Sequence, residues 1–299
     1  MQSRSIDVLI VTYNSAATIA QAITSVRDSP DVNRIIVVDN ASSDDSAYVC
    51  RNLTADVVIE SGTNRGFAAG VNLALGEADS PYVLLLNPDA TIEPDMLHGL
   101  LTRLREDETA ALAAPVLHGS DGSICYGARR FSTVTNRVSL QIPLLRKLTR
   151  GPEYREADLF GDAGGQVRVD YLWGAVLLVD RAFLVEAGGL DERYFMYSED
   201  EDIARTAVSR GRSSLLVTSA VAGHVGAVSS AGRRDIILAR QMEANRILLG
   251  KWHGDWSARA YLAGMRLAFF LQAIVAAARG RREDAHSLMR LSRGAREGG

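Results

Sequence analysis

Four acids in a row, Glu199-Asp-Glu-Asp202, follow the aromatic and apolar run Tyr194-Phe-Met-Tyr197 with only Ser198 between them. Ser198 and Glu201 have the spacing of a capping box, which predicts that the acids sit in the first turn of a helix running to about Arg210. Carboxylates placed there complement the helix dipole, which stabilises by under ~1 kcal/mol. A carboxylate lying against a semi-apolar wall has a second use. Burial raises its pKa and suits it to act as a general base. The segment by itself supports both readings, and the rest of the chain decides between them.

Three further constellations could handle a phosphorylated or nucleoside ligand. Asp39-Asn40 closes the run Ile35-Ile-Val-Val38 and precedes Ala41-Ser-Ser-Asp-Asp45. An acid there can accept from a pyrimidine N–H, and small residues beyond it admit a sugar; helix capping is the alternative use of the same residues. Thr63-Asn-Arg-Gly-Phe-Ala-Ala-Gly-Val-Asn72 opens a helix with a turn. Gly66 permits close backbone approach there, the helix amides face an anion such as a diphosphate, and Arg65 adds charge. Asn87-Pro-Asp-Ala90 fixes a turn at a strand end, where Asp89 could take a hard divalent cation bridging phosphates or simply form an Asx-turn. His224, flanked by Gly223 and Gly226, is open to a ligand or phosphate role.

The elements that must position these groups alternate. Strands are expected at Ile6–Thr12, Ile35–Asp39, Val57–Glu60 and Tyr82–Asn87, with helices at Ala16–Val26, Asp44–Arg51, Phe67–Gly76 and from Pro94 to about Glu106. Such βαβ units build a parallel sheet covered on both faces, and ligands bind beyond the carboxyl ends of its strands. Tyr13-Asn14, Asp39-Asn40 and Asn87-Pro-Asp89 all fall at that edge. Residues 140–167 lack periodicity and read as a loop or linker. Beyond them come a strand at Tyr171–Asp180 interrupted by Gly174, a short helix Arg181–Ala187, a strand Leu215–Thr218, and helical stretches Arg234–Lys251 and Ala258–Arg279.

The composition is that of an ordinary folded protein: 299 residues, 47% hydrophobic and 23% charged. A net charge of −3 gives no electrostatic footing for nucleic acid. Two cysteines, Cys50 and Cys125, give no disulfide framework and suit a reducing compartment. Met1–Asp7 lacks the apolar core of a signal peptide, and no spanning run of about 18 apolar residues is expected, which points to the cytoplasm.

In this order the segments resemble the family-2 inverting nucleotide-sugar glycosyltransferases of GT-A fold. The matching pieces are Val11-Thr-Tyr-Asn14, Val37-Val-Asp-Asn40, Asn64–Asn72, Leu85-Leu-Asn-Pro-Asp89, Trp173-Gly-Ala175, Gly189-Leu-Asp-Glu192, Glu199–Asp202 and His224. The resemblance spans about residues 5–250. It implies an α/β fold of GT-A (Rossmann-like) type: a mostly parallel central sheet with helices on both faces, plus a C-terminal helical appendage. The implied division is a transferase domain at 1–250, with a nucleotide-sugar half at about 1–118 and an acceptor half at about 169–250, then helices and a basic tail at 251–299. By the same resemblance Thr12, Asn14, Asp39 and Asn40 hold the nucleoside, and Asn64, Arg65, Gly66 and Asn87 line the diphosphate side. Asp200 is the base with Glu199 beside it, Trp173, Gly174 and Ala175 face the acceptor, and Asp89 with His224 holds Mg²⁺ or Mn²⁺. Asn87 stands where the family often has an acid, which leaves strict metal dependence open. The Leu-Asn-Pro-Asp form is most similar to rhamnosyltransferase-type members that build bacterial cell-wall and O-antigen polysaccharides. The expected partners are a nucleotide-sugar donor such as dTDP-rhamnose or a UDP-sugar and a glycan or lipid-linked acceptor.

Two rival functions share the opening βαβ. A non-catalytic nucleotide-sugar-binding module would not require the Glu199-Asp200 pair, and a nicotinamide-dependent dehydrogenase would show G-x-G-x-x-G where this chain has Tyr13-Asn-Ser-Ala16. At the C-terminus, Leu267–Ala278 is an apolar run of twelve residues followed by Arg279, Arg281, Arg282, Arg290, Arg293 and Arg296. It is expected to be too short to span a bilayer. It suits either a packed helix, in one chain or a homodimer, or peripheral contact of 258–296 with the inner face of the plasma membrane.

Overall fold

The computed structural model describes residues 4–52, 55–142, 153–160, 165–225 and 234–293. Its first elements are β1 (Ile6–Thr12), α1 (Ile19–Arg27), β2 (Val32–Asp39), α2 (Ser46–Asn52), β3 (Val57–Glu60), α3 (Phe67–Glu77), β4 (Tyr82–Leu86), β5 (Ala90–Ile92) and α4 (Pro94–Glu106). The middle holds β6 (Ala110–His118), β7 (Ile124–Cys125), β8 (Ala128–Arg129), α5 (Val134–Ser139), α6 (Glu156–Phe160), β9 (Gln166–Val169), β10 (Tyr171–Leu172) and β11 (Val176–Asp180). Then come α7 (Arg181–Glu186), α8 (Glu199–Ser209), β12 (Ser213–His224), α9 (Arg234–His253), α10 (Asp255–Ala278) and α11 (Arg282–Arg293).

The chain forms two compact units: Met1–Arg130 with Tyr154–Phe195 and Glu199–Ser229, and Phe131–Glu153 with Met196–Ser198 and Ser230–Gly299. The first is built on one sheet in the order β3-β2-β1-β4-β11-β6-β12-β5. It is parallel through β3, β2, β1 and β4 and again between β6 and β12, while β11 runs antiparallel between β4 and β6. Every residue of β1 is buried, as expected of a strand covered on both faces. Ile19, Ala22, Ile23 and Val26 are the buried stripe of α1, and Leu97, Leu100, Leu101 and Leu104 that of α4. Both keep helical spacing, and Pro94 opens α4, where its missing N–H costs nothing. The fold is the mixed α/β GT-A type that the resemblance implies.

The structure differs from the sequence reading at several elements. The central strand β6 was not expected, because Ala110-Ala-Leu-Ala-Ala-Pro115 combines helix-forming alanines with a proline that argues against a strand. On one edge Pro115 falls between the β11 ladder at Leu112 and Ala113 and the β7 ladder at Leu117 and His118, and on the other it pairs with Val217 of β12 where that ladder's register shifts. The strand placed at Tyr171–Asp180 divides around Gly174 into β10 and β11, which join different sheets. The capping box is absent. Ser198 has φ +67°, a left-handed rather than an extended conformation, and the Glu201 carboxylate turns to Arg205 at 3.0 Å.

In the second unit, α9, α10, α11 and α5 enclose their own core of Leu249, Tyr261, Met265, Phe269 and Leu291, with Val134, Val138 and Leu238 against it. Helix α9 packs on α10 and falls in this second compact unit. The apolar stretch is also longer than its uninterrupted run suggests. Helix α10 has 24 residues and is long and apolar enough to cross a membrane by length and composition.

Candidate active site

Register brings the first site residues together. Thr12 ends β1, Asp39 ends β2, and the two stand opposite each other in the parallel ladder, with Asn40 N donating to Thr12 O at 2.8 Å. Both side chains are buried, and Thr12 Oγ1 and Asp39 Oδ1 have no hydrogen-bond partner. Buried polar atoms left in that state cost free energy unless a ligand meets them. The second Asp39 oxygen accepts from Ser42 N at 3.1 Å, so the carboxylate is oriented with one oxygen spare. Asn14, at φ +52°, accepts from Ser43 N through Oδ1 at 2.8 Å, and its own N donates to Ser42 Oγ at 2.9 Å. These bonds knit the loop after β1 to the loop after β2.

The turn into α3 is braced from two sides. Asn64 Oδ1 accepts from Gly66 N at 3.0 Å, and Asn40 Nδ2 donates to Gly66 O at 2.9 Å. The Asn40 amide is thus spent on holding the turn. Phe67 N donates to Phe195 O at 2.7 Å, four residues before the acidic cluster begins at Glu199. Gly66 has φ +89° and ψ 176°, and a Cβ added there would come within 2.8 Å of Phe195 Cα and carbonyl carbon. Only glycine fits. Arg65 extends to Glu192 at 2.9 Å, and Glu192 also accepts from Asn72 Nδ2 at 3.1 Å. Asn72 itself spans α3 to Leu190, donating to its carbonyl and accepting from its amide, both at 2.8 Å. Sequence reasoning assigned no role to Glu192 or Asn72, although both lie inside the segments that carry the resemblance.

The acidic cluster opens α8 as expected, and its four members divide their roles. Glu201 is fully buried and paired with Arg205, while Asp202 accepts from the Tyr194 hydroxyl at 3.3 Å. Burial and the neighbouring Asp202 push that phenol well above its usual range. These two acids are structural. Glu199 is half-buried, with Oε2 sealed from solvent and unpartnered. Burial, reinforced by the charges on Asp200 and then Asp202, pushes its carboxyl up, to about 8. Asp200 is half-buried, and its Oδ1 accepts from Glu201 N at 2.8 Å. Burial and these neighbouring acids thus favour the neutral form of the Glu199 carboxyl.

Backbone contacts tie this pair to the remaining candidates. A Cβ built on Gly174 would lie 3.7 Å from Asp200 Cβ, and Ala175 O accepts from Asn87 N at 2.9 Å. Trp173 is held by its N donating to Gly127 O at 2.7 Å, with the Arg129 guanidinium 4.8 Å from its ring centre. Beyond Asn87, Asp89 Oδ1 lies 3.4 Å from His224 Nε2, and Val225 N donates to Asp89 O at 3.0 Å. A carboxylate oxygen and an imidazole nitrogen converging at a strand edge suit a divalent cation. Among the described residues no third His, Cys, Asp or Glu completes a cluster with them, so phosphate oxygens and water would fill the shell, as is usual for Mg²⁺.

A GT-A sheet with these groups gathered at its strand ends defines a glycosyltransferase. The model of the family described as Glycosyl transferase family 2 matches residues 7–163, more than half of the chain, and the protein belongs to that family. It is similar to the N-acetylglucosaminyl-diphospho-decaprenol L-rhamnosyltransferase of Mycobacterium tuberculosis: 28% identical over 237 residues, covering 74% of this chain and 76% of that one. It is also 26% identical to the rhamnosyltransferase WbbL of Escherichia coli over 207 residues, 66% of this chain and 74% of WbbL. Among solved structures, the mannosyltransferase PcManGT of Pyrobaculum calidifontis in complex with GDP-Man and Mn²⁺ superposes with a TM-score of 0.56. The two are 17% identical, and the match covers 97% of this chain and 87% of that one. A further relative, the succinoglycan biosynthesis protein ExoU of Rhizobium meliloti, is 28% identical over 255 residues, 81% of this chain and 68% of ExoU. Rhamnosyltransferase and polysaccharide-synthesis relatives thus agree with the sequence reading.

Proposed function

We propose that this glycosyltransferase moves a sugar, with inversion, from a nucleoside-diphosphate donor of the dTDP-rhamnose or UDP-sugar kind to a glycan or lipid-linked acceptor in cell-wall or surface-polysaccharide synthesis. The observation that carries the reading is the Glu199-Asp200 pair at the start of α8, with Asp200 packed beside Gly174 and Glu199 Oε2 buried without a partner. Binding alone requires no such pair. Asp200 takes the proton from an acceptor hydroxyl as the acceptor oxygen bonds to the anomeric carbon. The bond from that carbon to the diphosphate oxygen breaks on the opposite face, and the diphosphate leaves with the electron pair. Glu199, kept neutral by burial, leaves the negative charge on Asp200 and adds no second charge against the departing diphosphate.

Asp39 Oδ1 and Thr12 Oγ1 accept and donate to the nucleoside, with Asn14 and Asn40 shaping the loops around it. Asn64, Arg65, Gly66 and Asn87 border the diphosphate, and Trp173, Gly174 and Ala175 border the acceptor. Asp89 and His224 would hold Mg²⁺ or Mn²⁺, which when bound neutralises charge on the diphosphate. The M. tuberculosis relative is, by its name, a rhamnosyltransferase of N-acetylglucosaminyl-diphospho-decaprenol, which supports a lipid-linked acceptor. A screen of UDP-, dTDP- and GDP-sugars with a lipid-linked acceptor, reading nucleotide release, tests the reading. Acceptor-dependent release from one donor class is expected. Release from none of them, by a protein that binds those donors, would point to a non-catalytic binding module.

A further inference from the structure

Helix α10 has two faces of opposite fate. Tyr261, Met265 and Phe269 are buried in the core of the second unit. Leu267, Phe270, Leu271, Ile274 and Val275 are 44–56% exposed, and Trp256 is 78% exposed. Spacings of three, four and seven residues put the aliphatic and Phe side chains in one stripe. Trp256 and Ile274, 18 residues apart, are separated by about five turns at 3.6 residues per turn, so both lie on the midline of that stripe. Basic residues bracket it. Arg259 is exposed towards its start, Arg266 on its flank midway along, and Arg279, Arg281 and Arg282 just past its end. Of these, Arg281 is paired with Asp284 at 2.7 Å, and Asp255 and Glu283 are the other nearby acids.

We infer that the outward face of α10 seats in the headgroup region of an anionic lipid bilayer, with the helix lying in the membrane plane. The helix is long enough to span, but one side of it is committed to the core with Leu249 and Leu291, so only a surface orientation exposes the other side to lipid. An apolar stripe with tryptophan on its midline and cations at both ends is the pattern of an interfacial helix. A second copy of the chain fits the same face poorly. In a parallel pairing the arginines past the end of one helix face those of the other, and in an antiparallel pairing they face Arg259. Anionic headgroups reverse that repulsion into attraction. The inference rests on the second unit and does not depend on the transfer chemistry proposed above.

Flotation of the full-length protein with vesicles of phosphatidylcholine alone, or mixed with phosphatidylglycerol, tests it at low and high salt. Binding is expected only to the anionic vesicles, weakening with salt, together with a blue shift of tryptophan emission that Trp256→Phe removes. Arg279→Gln with Arg282→Gln should lower the partition coefficient about 25-fold, from roughly fivefold per charge at the surface. Leu267→Ser with Ile274→Ser should abolish the blue shift, with circular dichroism verifying that the helices persist. Failure to float with anionic vesicles, equal binding to neutral ones, or a stable lipid-free dimer that shields Trp256 would each overturn the inference. Donor-hydrolysis assays on the same preparations separate this outcome from any failure of the catalytic reading.

Discussion

Gly66→Ala should damage both stability and turnover, because the position is closed to a side chain in two ways. Its φ of +89° with ψ 176° lies in a region essentially reserved for glycine, where another residue costs about 1–3 kcal/mol. The new methyl would also press within 2.8 Å of Phe195 Cα and carbonyl carbon, where ordinary contact begins at 3.4 Å. Phe195 backbone must therefore recede by several tenths of an ångström, weakening the Phe67 N–Phe195 O bond of 2.7 Å, worth about 1 kcal/mol. Together these effects amount to roughly 2–4 kcal/mol, or a fall in Tm of about 3–6 °C for a chain of 299 residues. Phe195 leads directly into the segment that carries Asp200, so kcat/KM should fall about 100-fold, as expected for a misplaced catalytic group. Differential scanning fluorimetry and steady-state nucleotide release measure the two effects. A variant with wild-type Tm and wild-type kcat/KM would refute the argument that this turn positions the base.

Glu199 ionises at about 8 in the fold against its ordinary value of 4.5. The folded chain thus keeps a proton that the unfolded chain releases, and stability falls as pH rises from about 4.5 to about 8. Glu199→Gln should flatten that decline in Tm, and an unchanged profile would place the buried proton elsewhere. Asp39→Asn removes the carboxylate proposed to meet the nucleoside and should weaken donor binding by about 10–100-fold in calorimetry, from roughly 1.5–3 kcal/mol for a charged hydrogen bond. Equal affinity would show that Asp39 Oδ1 meets no donor group. Chelation should abolish turnover, with Mn²⁺ restoring it, and His224→Ala should weaken Mn²⁺ binding to the nucleotide complex in electron paramagnetic resonance titrations. Full turnover in chelator would make Asp89 and His224 a metal-independent pair.

The alternation of buried strands and amphipathic helices through Glu106 was readable because each element announces itself locally: β-branched runs in β1 and β2, Pro94 at the start of α4. Strand ends were equally clear, since polar residues follow each apolar run at once. The β6 strand was not, because burial in the middle of a sheet overrode the helical preference of its alanines. Helix α11, for which the basic tail beyond Arg279 gave no separate helix in the sequence reading, packs Leu291 on α10, a tertiary contact that composition does not carry. Within the acidic cluster, sequence marked the right segment but could not assign roles. Glu201 and Asp202 look identical to Glu199 and Asp200 until Arg205 and Tyr194 are seen to occupy them. The capping box failed for the same reason, as the arginine one turn on competes for the Glu201 carboxylate.

Asp200→Asn, assayed for acceptor-dependent nucleotide release alongside calorimetric donor binding, addresses the central claim most directly. The substitution keeps size and can keep the bond to Glu201 N, while removing the group that takes the acceptor proton. Turnover should fall by 100-fold or more, in the range that loss of a general base produces, with donor affinity within a fewfold of wild type. Near-wild-type release by the variant would contradict the assignment of Asp200 as the base.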